Sequence, residues 1–161
     1  MGINVCMSSI NIRNSEKNLK KEEQYIDKVL QIHNKLREKH NSPPLNIDIS
    51  LNKKAKQYAN ILFNYPENYV SFTHKKEPLG ENIYIDIKKE PIEICQDWYN
   101  EKENYKNNTK KFQKESLHFT QIVWKNTKFL GFGYVSSGNQ CCAVALYFPP
   151  GNIFNDFEKN V

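Results

Sequence analysis

The 161-residue chain has no run of about 18 apolar residues, which excludes a membrane-spanning helix read from hydropathy. Its first ten residues, MGINVCMSSI, lack the ~7–15-residue apolar stretch of a secretory signal, so the expected compartment is the cytoplasm. Cysteine is sparse. Of Cys6, Cys95, Cys141 and Cys142, the last two are adjacent, where a mutual bridge would close a strained ring, and neither CxxC nor zinc-finger spacing occurs. Reduced thiols and no structural zinc site are expected. Arginine is nearly missing as well: Arg13 and Arg37 stand against 21 lysines, so the forked guanidinium that reads base edges is not available and nucleic acid is not expected as a partner.

What is present is lysine and aromatic bulk. The net charge is +5, and residues 102–128 carry seven lysines against Glu103 and Glu115. Such diffuse positive charge suits an anionic membrane surface, or simply a solvated face. Nine Tyr and nine Phe supply burial enough for one core, and the length suits one domain.

Residues 1–21 are polar and aperiodic and read as a flexible N-terminal arm, with the domain at 22–161. Over 22–40, Tyr25, Ile26, Val29, Leu30, His33 and Leu36 recur at helical spacing, and Pro43 and Pro44 stop the pattern. A second helix is expected over 51–63 with Ser50 as N-cap, and a third over 91–105 with Pro91 in its first turn. Its apolar stripe includes Trp98, Lys102 and Tyr105, and Glu101 falls in the same sector. A short helix is expected over 118–124. Strands are expected over 82–87, 129–135 and 142–148, with 136–140 as a hairpin connection. Helices on both sides of a small, mainly antiparallel sheet give an α+β layered domain.

Four ionisable residues interrupt otherwise apolar or aromatic segments: His74, Glu81, Glu101 and His118. Two imidazoles and two carboxylates suit a divalent metal site, an acid/base cluster or a hydrogen-bonded brace. No HExxH pair fixes two of them together, and no GxSxG elbow offers a nucleophile, so no enzyme activity is assigned.

The segment HFTQIVWKNT, residues 118–127, closely resembles the HFTQ(I/L/V)VW signature of the CAP superfamily: cysteine-rich secretory proteins, antigen 5 and pathogenesis-related proteins, also called SCP domains. Other motifs stand in order. His33-Asn34 with Arg37 is similar to the first-helix element, Pro43-Pro44-Leu45 to the turn after it, Gly80-Glu81-Asn82-Ile83 to the GEN motif, and 147–152 (YFPPGN) to the closing motif. WKNT and YFPPGN resemble most the Golgi-associated plant-pathogenesis-related branch, whose members stay on the cytoplasmic side. Leu117 departs from the Gly, Asp, Glu or Arg usual before the histidine, and Ala145 stands where secreted members place a disulfide cysteine.

The resemblance implies a three-layer αβα sandwich with His74, Glu81, Glu101 and His118 as a cavity tetrad. It also implies that His74 and His118 hold a divalent ion such as Zn²⁺, with lipids or sterols rather than a reaction as the business of the groove. Gly2 and Cys6 in MGINVC partly match an N-acylation pattern, and two acyl chains anchor stably where one does not. The resulting expectation is a non-secreted, membrane-peripheral lipid- or sterol-binding module on the cytoplasmic face of the Golgi or another membrane, with weak homodimers. The alternatives are a protein-interaction scaffold with a structural tetrad and, further off, a metal-dependent hydrolase.

Overall fold

Tyr25, Ile26, Val29, Leu30, His33 and Leu36 do line one stripe of a helix, α1 (Ile3–Glu38), and pack into a common core. The computed structural model describes residues 3–67, 78–105 and 113–161. The apolar pattern put the start of this helix at residue 22, whereas α1 begins at Ile3. Residues 15–20 are exposed, so burial did not mark this part of the helix. A helix nucleated by its packed turns propagates through Lys, Glu and Asn without paying nucleation again. Its C-terminus closes with Asn41 in the left-handed region (φ 52°), the Asn41 N–H donating to the Glu38 carbonyl and the Ser42 N–H to that of Arg37.

The chain then forms β1 (Asn46–Ile47), a two-residue strand the sequence did not announce, and α2 (Ile49–Asn64). The N-cap of α2 is Asp48, not Ser50. The Asp48 carboxylate accepts from the Ser50 and Leu51 N–H groups, and the Ser50 hydroxyl donates to the same oxygen. After β2 (Gly80–Ile87), α3 (Pro91–Asn100) ends earlier than the stripe suggested and tightens into a 3-10 turn, Glu101–Asn104. Lys102 is therefore exposed rather than part of the inward stripe.

The remaining elements are α4 (Leu117–Val123), β3 (Phe129–Ser137), β4 (Gln140–Phe148) and α5 (Phe157–Asn160). The β3–β4 hairpin turns on Gly138 and Asn139 alone, with Gly138 at φ 56°, so both strands reach further into the polar connection than expected.

The sheet order is β1-β3-β4-β2, with β1 parallel to β3 and the other pairs antiparallel. One face carries Leu130, Phe132, Tyr134, Ala143, Ala145 and Tyr147 against α1, α3 and α4; the other carries Cys142, Val144 and Leu146 against α2. This is the expected three-layer αβα sandwich. On β3, a Cβ at Gly131 or Gly133 would lie 2.3 Å from the backbone or Cβ of α2, so bare backbone is what lets this helix sit so close. Beyond β1, side chains from α2 serve the outer edge of β3: the Phe132 N–H donates to Asn52 Oδ1 (2.8 Å), and Lys56 Nζ donates to the Tyr134 carbonyl (2.7 Å). Among the described residues no helix is long and apolar enough to cross a membrane. Cys95, Cys141 and Cys142 are buried free thiols.

Candidate functional site

Helix α4 carries the site, and it is held from three directions. Arg37, fully buried, donates from Nη1 to the carbonyls of Ile122 (2.8 Å) and Trp124 (2.9 Å), from Nη2 to Thr127 (3.1 Å) and from Nε to Pro43 (2.7 Å). The Ser42 hydroxyl adds a bond to the Val123 carbonyl (2.6 Å). The end of α1 thereby supplies both donors and positive charge to the C-terminus of α4, where helix carbonyls lack partners. Burial lowers the Arg37 guanidinium to about 10, against a raising contribution from Tyr147.

The second hold is on the loop after β4. Gln121 Oε1 accepts the Gly151 N–H (2.9 Å), the Thr120 hydroxyl donates to Asn152 Oδ1 (2.6 Å), and Asn152 Nδ2 donates to the Leu117 carbonyl (2.9 Å). A Cβ at Gly80 would stand 2.1 Å from Gln121 Oε1, and one at Gly151 2.7 Å from Gln121 Nε2. Both glycines are the space in which the Gln121 amide fits.

The third hold is on the site itself. Glu101 reaches from the 3-10 turn to α4, one oxygen accepting the His118 backbone N–H (3.0 Å) and the other lying 2.6 Å from His118 Nδ1. The carboxylate thus caps the first turn of α4 and orients the imidazole together. The His118 ring is 37% exposed and tilts against Trp98 at a centroid distance of 5.9 Å. With Nδ1–H donated to the carboxylate, Nε2 keeps its lone pair, and among the described residues it has no hydrogen-bond partner.

Behind this pair runs a buried chain of polar groups. Asn82 Nδ2 donates to the His118 carbonyl (3.1 Å) and to the Tyr147 hydroxyl (3.2 Å), and that hydroxyl lies 2.8 Å from His33 Nε2. His33 Nδ1 lies 2.8 Å from the Val29 carbonyl, which can only accept, so Nδ1 carries the proton and Tyr147 donates to Nε2. Burial, reinforced by Arg37 and opposed by the Val29 carbonyl, lowers His33 to about 4, so the ring is neutral at pH 7. Tyr147 is pushed well above 10, mainly by burial.

Of the residues singled out from the sequence, Glu101 and His118 meet directly. Glu81 lies partly buried on β2, across from Leu146 and next to Asn82. His74 and Gly2 lie outside the described residues, and Cys6 falls in α1 with its side chain outside them. Among the described residues, no three His, Cys, Asp or Glu side chains group closely enough to hold a metal. Sequence reasoning gave no role to His33, Asn82, Gln121 or Tyr147. Their signal was polar groups inside apolar stretches at family motif positions, which is the mark of a buried network as much as of a reactive site.

The cysteine-rich secretory protein family, CAP, matches residues 30–148. "Golgi-associated plant pathogenesis-related protein 1" of Homo sapiens is 37% identical over 126 residues, covering 76% of this chain and 82% of that protein. "Protein PRY2" of Saccharomyces cerevisiae is 29% identical over 113 residues, which span 65% of this chain but only 34% of that longer protein. The crystal structure of NaASP2 with Zn²⁺ superposes with a TM-score of 0.64 at 23% identity, covering 80% of both chains, a likeness of fold.

Proposed function

The chain belongs to the CAP family, and from that premise we propose that it is a membrane-peripheral module that binds lipid or sterol, acting by binding rather than by catalysis. The observation that carries this reading is an amphipathic end of the sandwich. Phe129 and Phe148 face each other across β3 and β4, 37% and 43% exposed, beside the β1–α2 junction where Ile49 is 70% exposed. Lys128 and Lys53 are exposed next to them in the chain or on the first turns of α2. Exposed rings and aliphatics among lysines favour the boundary of an anionic bilayer, where the apolar groups enter the acyl region and the ammonium groups meet the headgroups. The name of the human relative, Golgi-associated, supports a Golgi membrane as the surface, and acylation at Gly2 with Cys6 would strengthen the attachment.

The His118–Glu101 pair fits a divalent ion. A carboxylate on Nδ1 fixes the ring's orientation and tautomer, the arrangement that surrounds ligating histidines, and imidazole suits Zn²⁺. His118 with His74 would hold the ion, which supplies a positive anchor for a headgroup oxygen. The structure carrying Zn²⁺ in the same fold supports this reading.

Sedimentation with vesicles of phosphatidylcholine and phosphatidylserine, with and without sterol, tests the proposal. Binding should fall as salt rises, and Phe129→Ser with Phe148→Ser should weaken it at least 10-fold, since two rings leave the acyl boundary. Vesicle binding that is absent, or indifferent to both salt and the double substitution, rejects the reading.

A further inference from the structure

A second polar cluster lies on the α1–α3 side of the molecule and uses neither His118 nor Glu101. Tyr99, buried on α3, points its hydroxyl at His40 Nε2 (3.0 Å), and the His40 ring packs edge-on against Phe119 at 5.2 Å. Two ammonium groups sit over the Tyr99 ring: Lys102 Nζ at 5.0 Å from the centroid and Lys39 Nζ at 5.8 Å. They approach from different elements, the end of α1 and the 3-10 turn, so the sandwich and not a local sequence run brings them together. Lys125, just past α4, is placed by its N–H bond to the Asn160 carbonyl (3.1 Å). Its charge, with those of Lys102 and Lys39, acts on His40 behind the main effect of burial, and all of them lower its pKa.

Like charges gathered on one ring repel, and the negative face of the tyrosine offsets them only in part. Glu103 Oε1, 3.6 Å from Lys102 Nζ, is 78% exposed and therefore well screened. A small, doubly charged anion relieves this repulsion better than a carboxylate. A phosphomonoester carries near two negative charges at pH 7 and three acceptor oxygens, enough for several ammonium groups and a hydroxyl at once. Lysine suits such a ligand as a point charge that needs no planar fork.

We propose that Lys39 and Lys102, with the Tyr99 hydroxyl and the His40 ring, form a binding site for a phosphomonoester. The site goes beyond the membrane reading: it makes no use of Phe129, Phe148 or the His118–Glu101 pair, and it stands if binding to phosphatidylserine vesicles fails. The phosphate group is either free, on a small metabolite, or the headgroup of a phosphorylated lipid.

Two probes separate these sources: glycerol 3-phosphate in solution, and phosphatidylcholine vesicles doped with phosphatidylinositol monophosphate, with unphosphorylated phosphatidylinositol as reference. Titration with the ligand should shift the His40 and Tyr99 ring resonances saturably. Each lysine lost should weaken binding about 5-fold, so Lys39→Ala with Lys102→Ala should weaken it about 25-fold, while Glu103→Gln should strengthen it. Lys17→Ala with Lys88→Ala, which removes two exposed lysines outside both this cluster and the membrane face, should leave it unchanged. Saturable binding of either probe with this pattern supports the site and identifies its source. Ring resonances that do not move with either probe, or equal weakening by the remote pair, overturn it.

Discussion

His33 is fully buried, and both ring nitrogens are engaged: Nδ1–H donates to the Val29 carbonyl and Nε2 accepts from the Tyr147 hydroxyl. The unfolded ring binds a proton near 6.5, the folded one only near 4. Between those values protons favour the unfolded chain. Stability complete above about pH 6.5 should therefore decline as the pH falls towards 4, by on the order of 3 kcal/mol from this residue. Urea denaturation at pH 7 and pH 5 measures it, and His33→Gln should flatten the difference. Arg37 poses a different problem. Lysine at this position keeps the charge but cannot span four carbonyls on two segments, so Arg37→Lys should cost about 3–5 kcal/mol in denaturant unfolding. At this scale the sequence was legible only where motifs stood. Glu101 and His118 are 17 positions apart, and no periodicity makes them neighbours; their apolar surroundings singled them out, the family likeness grouped them, and the fold shows them 2.6 Å apart. Asn82 and Tyr147 stood in motifs of their own, but nothing in their spacing says that one amide bridges a hydroxyl and a carbonyl.

Elements here are joined by side chains that reach out of them. Gln121 leaves α4 to receive the Gly151 N–H, in a space lined by Gly80 at the start of β2. Gly80→Ala would drive a methyl into that amide and should cost about 2 kcal/mol. The penalty should shrink in a Gln121→Ala background, where the clash is gone, and a double-mutant cycle in thermal unfolding reads the coupling. The elements themselves were legible in proportion to how one-sided they are. The packed turns of α1, the face of α2 with Leu51, Ala55, Tyr58, Ala59 and Leu62, and the hairpin strands all follow their apolar patterns. The boundaries that moved belong to features that bury little: the exposed turns of α1 before residue 22, the cap at Asp48, and a two-residue β1 held by register to Phe129 and Leu130.

Across the whole molecule, burial is concentrated at the middle of the sheet. In β4, Cys141 to Tyr147 are buried without interruption because α1 and α3 cover one face and α2 the other, and a strand covered on both sides loses its alternation. Hydrogen exchange should follow that gradient. Amides of β4 should exchange only through global opening, while those of residues 15–21, exposed along α1, should exchange orders of magnitude faster; mass spectrometry of peptides from the two regions checks this. Neither gradient was visible in composition, since lysine and asparagine are spread along the chain while burial depends on which faces meet.

Asn52 and Lys56 give the rim of β3 a further property. A strand from another chain that approaches there finds the Phe132 amide and the Tyr134 carbonyl already engaged by side chains, with an ammonium group in its way. Templated growth into fibrils is denied a starting row on that side, so the protein can be crowded to high local concentration without seeding its own aggregation through that strand.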